Sequence, residues 1–121
     1  MSKMYIAVLD EFPDFMTPAL VAHTVLAHHD IAMDYSRDEW KGEKPYTTLY
    51  RGWKGESFKK VVLRVNQKEF DNISQLPNVT LSHESNTLDG KKACAVVVVD
   101  DTIPNVLKFA KLWEPVQRAG D

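Results

Sequence analysis

One apolar run constrains this chain more than any other feature. Residues 93–99 read Ala-Cys-Ala-Val-Val-Val-Val, seven apolar residues in a row with four consecutive valines. A strand with one solvated face alternates apolar and polar residues, whereas an unbroken β-branched run is typical of a strand covered on both faces. We therefore expect Ala93–Val99 to be the central strand of a sheet that has helices on both sides.

The rest of the chain supplies three more strand patterns and several helix patterns. Strands are predicted at 5–9, at 58–65 and, from its alternation, at 79–83. The Asp89-Gly90 turn signal makes the last two strands hairpin-like. Strands alternating with helices favour an α/β fold, in the order β-α-(α)-β-α-β-β-α, with a mixed four-stranded sheet.

Helix signals vary in strength along the chain. Thr17-Pro18 is a helix start followed by apolar residues to Ala27, which predicts a largely buried helix. Thr47–Trp53 is predicted as a short helix, and Asn66 with Glu69 forms a capping-box pattern for the next one. A last helix is predicted from Pro104, with Trp113 facing the sheet.

Length and composition restrict the class of protein. The chain has 121 residues, which indicates one domain over 1–121, and residues 114–121 read as a polar tail. The lone cysteine, Cys94, forms no internal disulfide and reads as a packed small hydrophobe. No run of about 18 apolar residues is present, and the first residues lack the apolar stretch of a signal peptide. We therefore expect a cytoplasmic protein that does not bind membranes.

Charge is distributed unevenly along the chain. The net charge is -2, but residues 1–36 carry -4, residues 37–68 carry +5 and residues 69–121 carry -3. A basic middle segment suits phosphates or an acidic partner, and a solvated loop and helix is the alternative. The residues predicted to contribute to a phosphate footprint are Lys54, Lys59, Lys60 and Arg64.

Three histidines fall on the first predicted helix. His23 and His28 are five residues apart, which places them roughly 140° apart around the axis, so they do not form a pair of metal ligands. His23, inside the apolar stretch, is expected to be a core or cleft histidine, and a catalytic role is the alternative. His28 and His29 are expected at the exposed, frayed end of the helix.

Polar residues follow two of the predicted strands. In open α/β sheets ligands gather beyond the carboxyl ends of parallel strands. The first strand delivers Asp10 and leads to Thr17, and the third delivers His83 and Glu84, followed by Asn86 and Thr87. These side chains suit ligand binding or general acid–base chemistry, and ordinary polar loops are the alternative.

Motifs for bound groups are missing from the sequence. The five glycines are scattered and none of them follows a strand and opens a helix, so no phosphate-cradling loop is indicated. The sequence has no Cys-x-x-Cys pair. We expect no cofactor and no metal site.

Three segments make residues 4–113 resemble the type II peptidyl-tRNA hydrolases. They are Met16–Ala27, the stretch from Trp53-Lys54-Gly55 through Val61–Val65, and His83-Glu84-Ser85-Asn86-Thr87. The resemblance implies that family's α/β fold. In that family catalysis and peptidyl-tRNA binding are attributed largely to a lysine, an aspartate and a threonine.

The chain departs from this pattern where the chemistry lies. Its counterpart of the family's lysine is Ala19, of the glutamine His23, of the helix histidine Leu26, of the aspartate His83 and of the glycine Ser85. Only Thr87 carries over. A methyl group does not replace a cation that neutralises phosphate. The resemblance therefore implies the fold without the family's usual activity.

A narrower resemblance links the chain to a family of phage proteins. Met4–Asp10, Asn86–Gly90, Pro104–Val106 and Lys108–Trp113 resemble small proteins of large tailed bacteriophages that modify host valyl-tRNA synthetase. This resemblance implies a host-takeover factor that binds the synthetase and its tRNA in the host cytoplasm.

Three functions remain open from the sequence. The first is a non-catalytic binding protein that engages valyl-tRNA synthetase, tRNA or both. The second is a peptidyl-tRNA hydrolase with a rearranged site, for which the candidate catalytic residues are Thr87, His83, Glu84 and His23. The third is a phage anti-defence protein that binds a nucleotide signal or an immune protein.

Overall fold

The computed structural model describes residues 1–34, 45–84 and 91–115. They form an α/β fold with a mixed sheet of five strands, one more than the four expected. The strands are β1 Lys3–Leu9, β2 Lys59–Val65, β3 Thr80–Glu84, β4 Lys91–Val99 and β5 Lys111–Leu112. The helices are α1 Thr17–Asp34, α2 Pro45–Gly52, α3 Gln67–Ser74 and α4 Asn105–Lys108. A 3-10 turn, Asp14–Met16, precedes α1, and a π-helical turn, Trp53–Ser57, follows α2.

The strand order is β3-β4-β1-β2-β5. Among the strands that the structure describes, only β1 and β2 are parallel to each other, with Lys3 opposite Lys59 and Leu9 opposite Val65. The other neighbours are antiparallel, and β3 with β4 forms the expected antiparallel pair. The middle position belongs to β1 rather than to β4, because β5 adds a strand beyond β2. Strand β4 is nevertheless interior, and Ala93–Val98 are buried as expected.

Helices cover both faces of the sheet. The Thr80 hydroxyl is hydrogen-bonded to His28 of α1, whereas Leu81 lines a cavity together with Phe70 of α3. Successive strand residues point to opposite faces, so α1 and α3 lie on opposite sides. Residues 4–9 of β1 are consequently buried on both faces.

Local signals set several boundaries as expected. The Asn66 side chain accepts from the backbone N–H of Glu69, and the Glu69 carboxylate accepts from the backbone N–H of Asn66, which completes the capping box of α3. Phe70 and Ile73 are buried beneath it. Helix α2 confirms the short helix expected near Thr47–Trp53.

Two helix predictions were wrong in extent. Helix α1 runs seven residues beyond Ala27, to Asp34, and much of its outer face is exposed, including Leu26 at 63%. The last helix ends at Lys108, and the chain then turns into β5, where the Trp113 backbone N–H donates to the Val62 carbonyl. Trp113 therefore lies beside the sheet edge and not on a helix.

None of the helices described is both long enough and apolar enough to span a membrane. The expected polar tail lies outside the described residues from 116 onward.

Candidate functional site

The parallel pair β1–β2 has two ends, and the predicted binding residues divide between them. Lys59 and Lys60 begin β2, and Lys54 lies in the π-helical turn just before it. Asp10 follows β1 at the other end, where Arg64 is the penultimate residue of β2. A strand rises about 3.3 Å per residue, so Lys60 and Arg64 are separated by about 13 Å. The four-residue phosphate footprint expected from the sequence is therefore not one cluster.

The carboxyl end of β1 and β2 contains a cleft of about 460 Å³. It is lined by Asp10, Phe12, Pro13, Asp14, Phe15, Arg64 and Pro115. Asp10 is exposed, and the Phe15 side chain is 83% exposed. This position is where ligands of open α/β sheets are usually found.

Arg64 in this cleft is already paired. Its Nη2 donates to both carboxylate oxygens of Asp14, at 3.1 and 3.2 Å, and to the Glu114 carbonyl at 2.6 Å. The guanidinium also lies 5.1 Å from the ring centre of Trp113. Because Asp14 neutralises the arginine and Asp10 and Glu11 lie close by in sequence, this end does not favour phosphate.

The amino end of β2 begins with an unusual turn. The Phe58 backbone N–H donates to the Trp53 carbonyl at 2.7 Å and closes the π-helical turn. Phe58 itself adopts the left-handed conformation, with φ 53° and ψ 16°. Bulky residues rarely adopt positive φ, and such residues concentrate at functional sites.

An aromatic and lysine cluster surrounds this turn. The Phe58 ring is 53% exposed and its centre lies 4.9 Å from that of buried Trp53. The Lys60 Nζ lies 3.4 Å from the Phe58 ring centre and donates to the Phe58 carbonyl at 2.8 Å. The Trp53 indole N–H donates to the Lys59 carbonyl at 2.6 Å, which ties the cluster to β2. We call Trp53, Lys54, Phe58 and Lys60 the lysine–aromatic edge.

The charges near this edge are mixed but positive on balance. Lys59 faces the opposite side of the sheet from Lys60 and lies beside Lys3. The nearby acids are Glu56, Asp100 and Asp101, which all act on the amino terminus, and Asp101 is paired with it. No carboxylate among the described residues pairs with Lys60, so its full charge is available.

The histidine predictions were reversed by the structure. His23 is exposed, whereas His28 is 1% exposed and lies 2.7 Å from the Thr80 hydroxyl through Nδ1. Burial lowers the pKa of His28 to about 4, so it is neutral at pH 7. His29 is half-buried, with Nδ1 2.7 Å from the Tyr50 hydroxyl. The helix continues past both residues, so neither lies at a frayed end.

The remaining candidates do not form one cluster in the described part of the chain. The Thr17 residue is buried at the start of α1. The backbone of His83 and Glu84 ends β3 at the same edge as the carboxyl end of β1, with β4 between them. Asn86 and Thr87 lie outside the described residues. Cys94 is buried, and burial raises the pKa of its thiol to about 11.

Neither a cluster of metal ligands nor a further cavity adds a predicted binding residue to these two ends in the described part of the chain. Within residues 1–34, 45–84 and 91–115 no group of three or more His, Cys, Asp or Glu side chains is placed to hold a metal. A further cavity of about 540 Å³ lies between α3 and the β3–β4 pair, and none of the predicted binding residues lines it.

Sequence reasoning singled out the lysines of the lysine–aromatic edge but missed Phe58 and Trp53. The signal was present, because aromatic residues alternate with lysines in Trp53-Lys54 and Phe58-Lys59-Lys60. Basic residues interleaved with aromatics are typical of surfaces that bind single-stranded nucleic acid. No protein-family model matches the chain, and no curated protein matches it either.

Proposed function

We propose that this chain is a non-catalytic binding protein that engages tRNA, and that the lysine–aromatic edge contacts the tRNA. The observation that carries the proposal is the pairing state of the cations along β2. Lys60 is held by a ring and a carbonyl and keeps its full charge, whereas Arg64 is neutralised by Asp14. Phosphate binding requires cations of the first kind.

The whole-chain charge makes the location of these lysines important. The net charge is -2, so long-range attraction to nucleic acid is weak over most of the surface. Binding must then come from a local group of cations close to aromatic surface. This arrangement fits the resemblance to the peptidyl-tRNA hydrolase fold and to phage modifiers of valyl-tRNA synthetase, with the family's lysine and aspartate replaced by Ala19 and His83.

The proposal is tested by titrating fluorescently labelled tRNA with the protein at several KCl concentrations. Each phosphate contact contributes close to one unit to the slope of log affinity against log salt. We expect Lys60→Ala to weaken binding and to reduce that slope by about one unit. Lys108→Ala is the matched control, because Lys108 also lies near a phenylalanine, 5.7 Å from the Phe109 ring centre, but on α4.

Two results would contradict the proposal in different ways. Absent or salt-independent tRNA binding would remove tRNA as a ligand and leave a protein partner such as valyl-tRNA synthetase. If the protein hydrolyses peptidyl-tRNA and Thr87→Ala abolishes that activity, the protein is an enzyme and the proposal of a non-catalytic binding protein is wrong. We expect an acylated tRNA to be recovered intact after incubation with the protein.

A further inference from the structure

We propose that Phe58 is a stacking platform for an unpaired nucleotide base, so that the lysine–aromatic edge takes single-stranded RNA and not duplex RNA. This inference rests on the proposed function and names the part of the ligand that the edge recognises. It follows from the backbone of Phe58, from the support of its ring and from the cations beside it.

The backbone argument concerns what the turn itself requires. Closing the π-helical turn places Phe58 at φ 53°, where glycine or asparagine would fit with less strain. Glycine does occur in this segment, but Gly52 has an ordinary helical φ of -60°. The chain therefore places a large ring where the turn favours a small residue. A role outside the turn explains that choice.

The ring is exposed and yet held in place. Phe58 is 53% exposed, while its ring contacts buried Trp53 at 4.9 Å and the exposed Lys60 ammonium at 3.4 Å. Trp53 is 2% exposed and is joined by Tyr50 at 5.5 Å. A supported ring loses little conformational freedom when a base stacks on it, which favours binding.

The cations complete the ligand chemistry. Lys60 Nζ has three donors and uses one of them on the Phe58 carbonyl, so donors remain for a phosphate next to a stacked base. Lys54 adds an exposed cation next to Trp53, and Glu56 is the opposing charge in the same turn. Duplex RNA hides its base faces, so only an unpaired base can reach Phe58.

The test compares a labelled eight-nucleotide single-stranded RNA with the blunt duplex of the same sequence. We expect the single strand to bind at least tenfold more tightly, and Phe58→Ala to reduce its affinity by roughly tenfold. Phe109→Ala is the matched control, because Phe109 is 75% exposed but lies on the α4 side, and it should leave affinity unchanged. Phe58→Trp should retain binding, with indole fluorescence quenched by the stacked base.

A folding defect is excluded by a second variant. Asparagine tolerates positive φ, so Phe58→Asn should keep the wild-type melting temperature and still lose affinity for the single strand. Equal affinity for the two RNA forms, or equal effects of Phe58→Ala and Phe109→Ala, would overturn the stacking platform. If the stacking platform is overturned but tRNA binding is still salt-dependent, the proposed tRNA-binding function remains valid. If no RNA form binds, both fail.

Discussion

The two ends of β2 carry a matched pair of cations with different surroundings. Lys60 and Arg64 are four residues apart on one face of the strand, and each lies over an aromatic ring. Arg64 is 15% exposed by side chain and donates to the Asp14 carboxylate, whereas exposed Lys60 donates only to a backbone carbonyl among the described residues. One end of the strand is neutral and structural, and the other presents a charge.

The difference shows why charge counted along a sequence does not describe a surface. The +5 segment includes both cations. Asp14, which neutralises one of them, comes from the 3-10 turn before α1, 50 positions earlier in the chain. A half-buried arginine with a carboxylate forms a stable pair, and the same residue without one would be costly to bury. Which cation is available is therefore decided by folding.

The largest expected effect concerns His28 in helix α1. This helix starts near the carboxyl end of β1, and the His28 ring, towards the end of the helix, lies 5.7 Å from the ring of Tyr50, which in turn packs against Trp53. The pKa of His28 is lowered from 6.5 to about 4 in the folded protein. As the pH falls below 6.5 the unfolded chain binds the proton and the folded chain does not. The free energy of unfolding should therefore decrease by about 3 kcal/mol by pH 4 from this group alone.

Urea unfolding between pH 7 and pH 4 measures this effect, and a variant isolates it from the carboxylates that also titrate there. His28→Gln keeps a partner for Thr80 but has no proton to bind, so its stability should fall less steeply with acid than that of the wild type. His23→Gln, which changes an exposed histidine of the same helix, is the matched control. Parallel curves for His28→Gln and the wild type would show that folding does not lower the pKa of His28.

The second prediction concerns the carboxyl end of β2, where Asp14 pairs with Arg64. Asp14→Ala leaves the Arg64 charge half-buried without its carboxylate, and we expect a loss of about 1–2 kcal/mol in the free energy of unfolding. The control is Asp101→Ala, which removes an exposed pair with the amino terminus and should cost clearly less than Asp14→Ala. Urea unfolding at pH 7 compares them, and equal losses would mean that Arg64 is no more dependent on its partner than a surface charge.

The smallest expected effect concerns the backbone strain at Phe58, in the lysine–aromatic edge. At ordinary strand positions glycine is less stabilising than alanine, and we expect this order for Lys59→Gly against Lys59→Ala. At Phe58 the positive φ should reverse it, with Phe58→Gly more stable than Phe58→Ala by about 1 kcal/mol. Thermal melts of the four variants decide the point. If the glycine variant melts below the alanine variant at both positions, the positive φ of Phe58 does not strain the backbone.

Local patterns predicted the framework well. The Asn66–Glu69 capping box was readable because both partners lie within one helical turn and need no distant contact. Buried strands β1 and β4 were readable because their runs of six apolar residues (Met4–Leu9) and seven apolar residues (Ala93–Val99) have few other stable placements.

The errors have a common physical cause. His23 and His28 belong to the same helix, and the sequence pattern around them favoured the wrong one as buried. The buried one is the one whose Nδ1 meets Thr80, a residue 52 positions away. The chain after Lys108 similarly has helical spacing, but its backbone pairs with Leu63 and Arg64 at a free strand edge. Tertiary pairing overrides weak local preference in such short segments.

The sequence by itself determined an α/β domain with two doubly covered strands, the capped helix before β3 and the placement of a basic segment around β2. These follow from residue type and from spacing within about ten residues. The tertiary structure alone decided that β5 closes the sheet edge, that His28 is buried, that Asp14 neutralises Arg64 and that Phe58 stands exposed beside a charged Lys60. Burial and charge pairing depend on groups brought together from distant parts of the chain, and no local pattern encodes their distances.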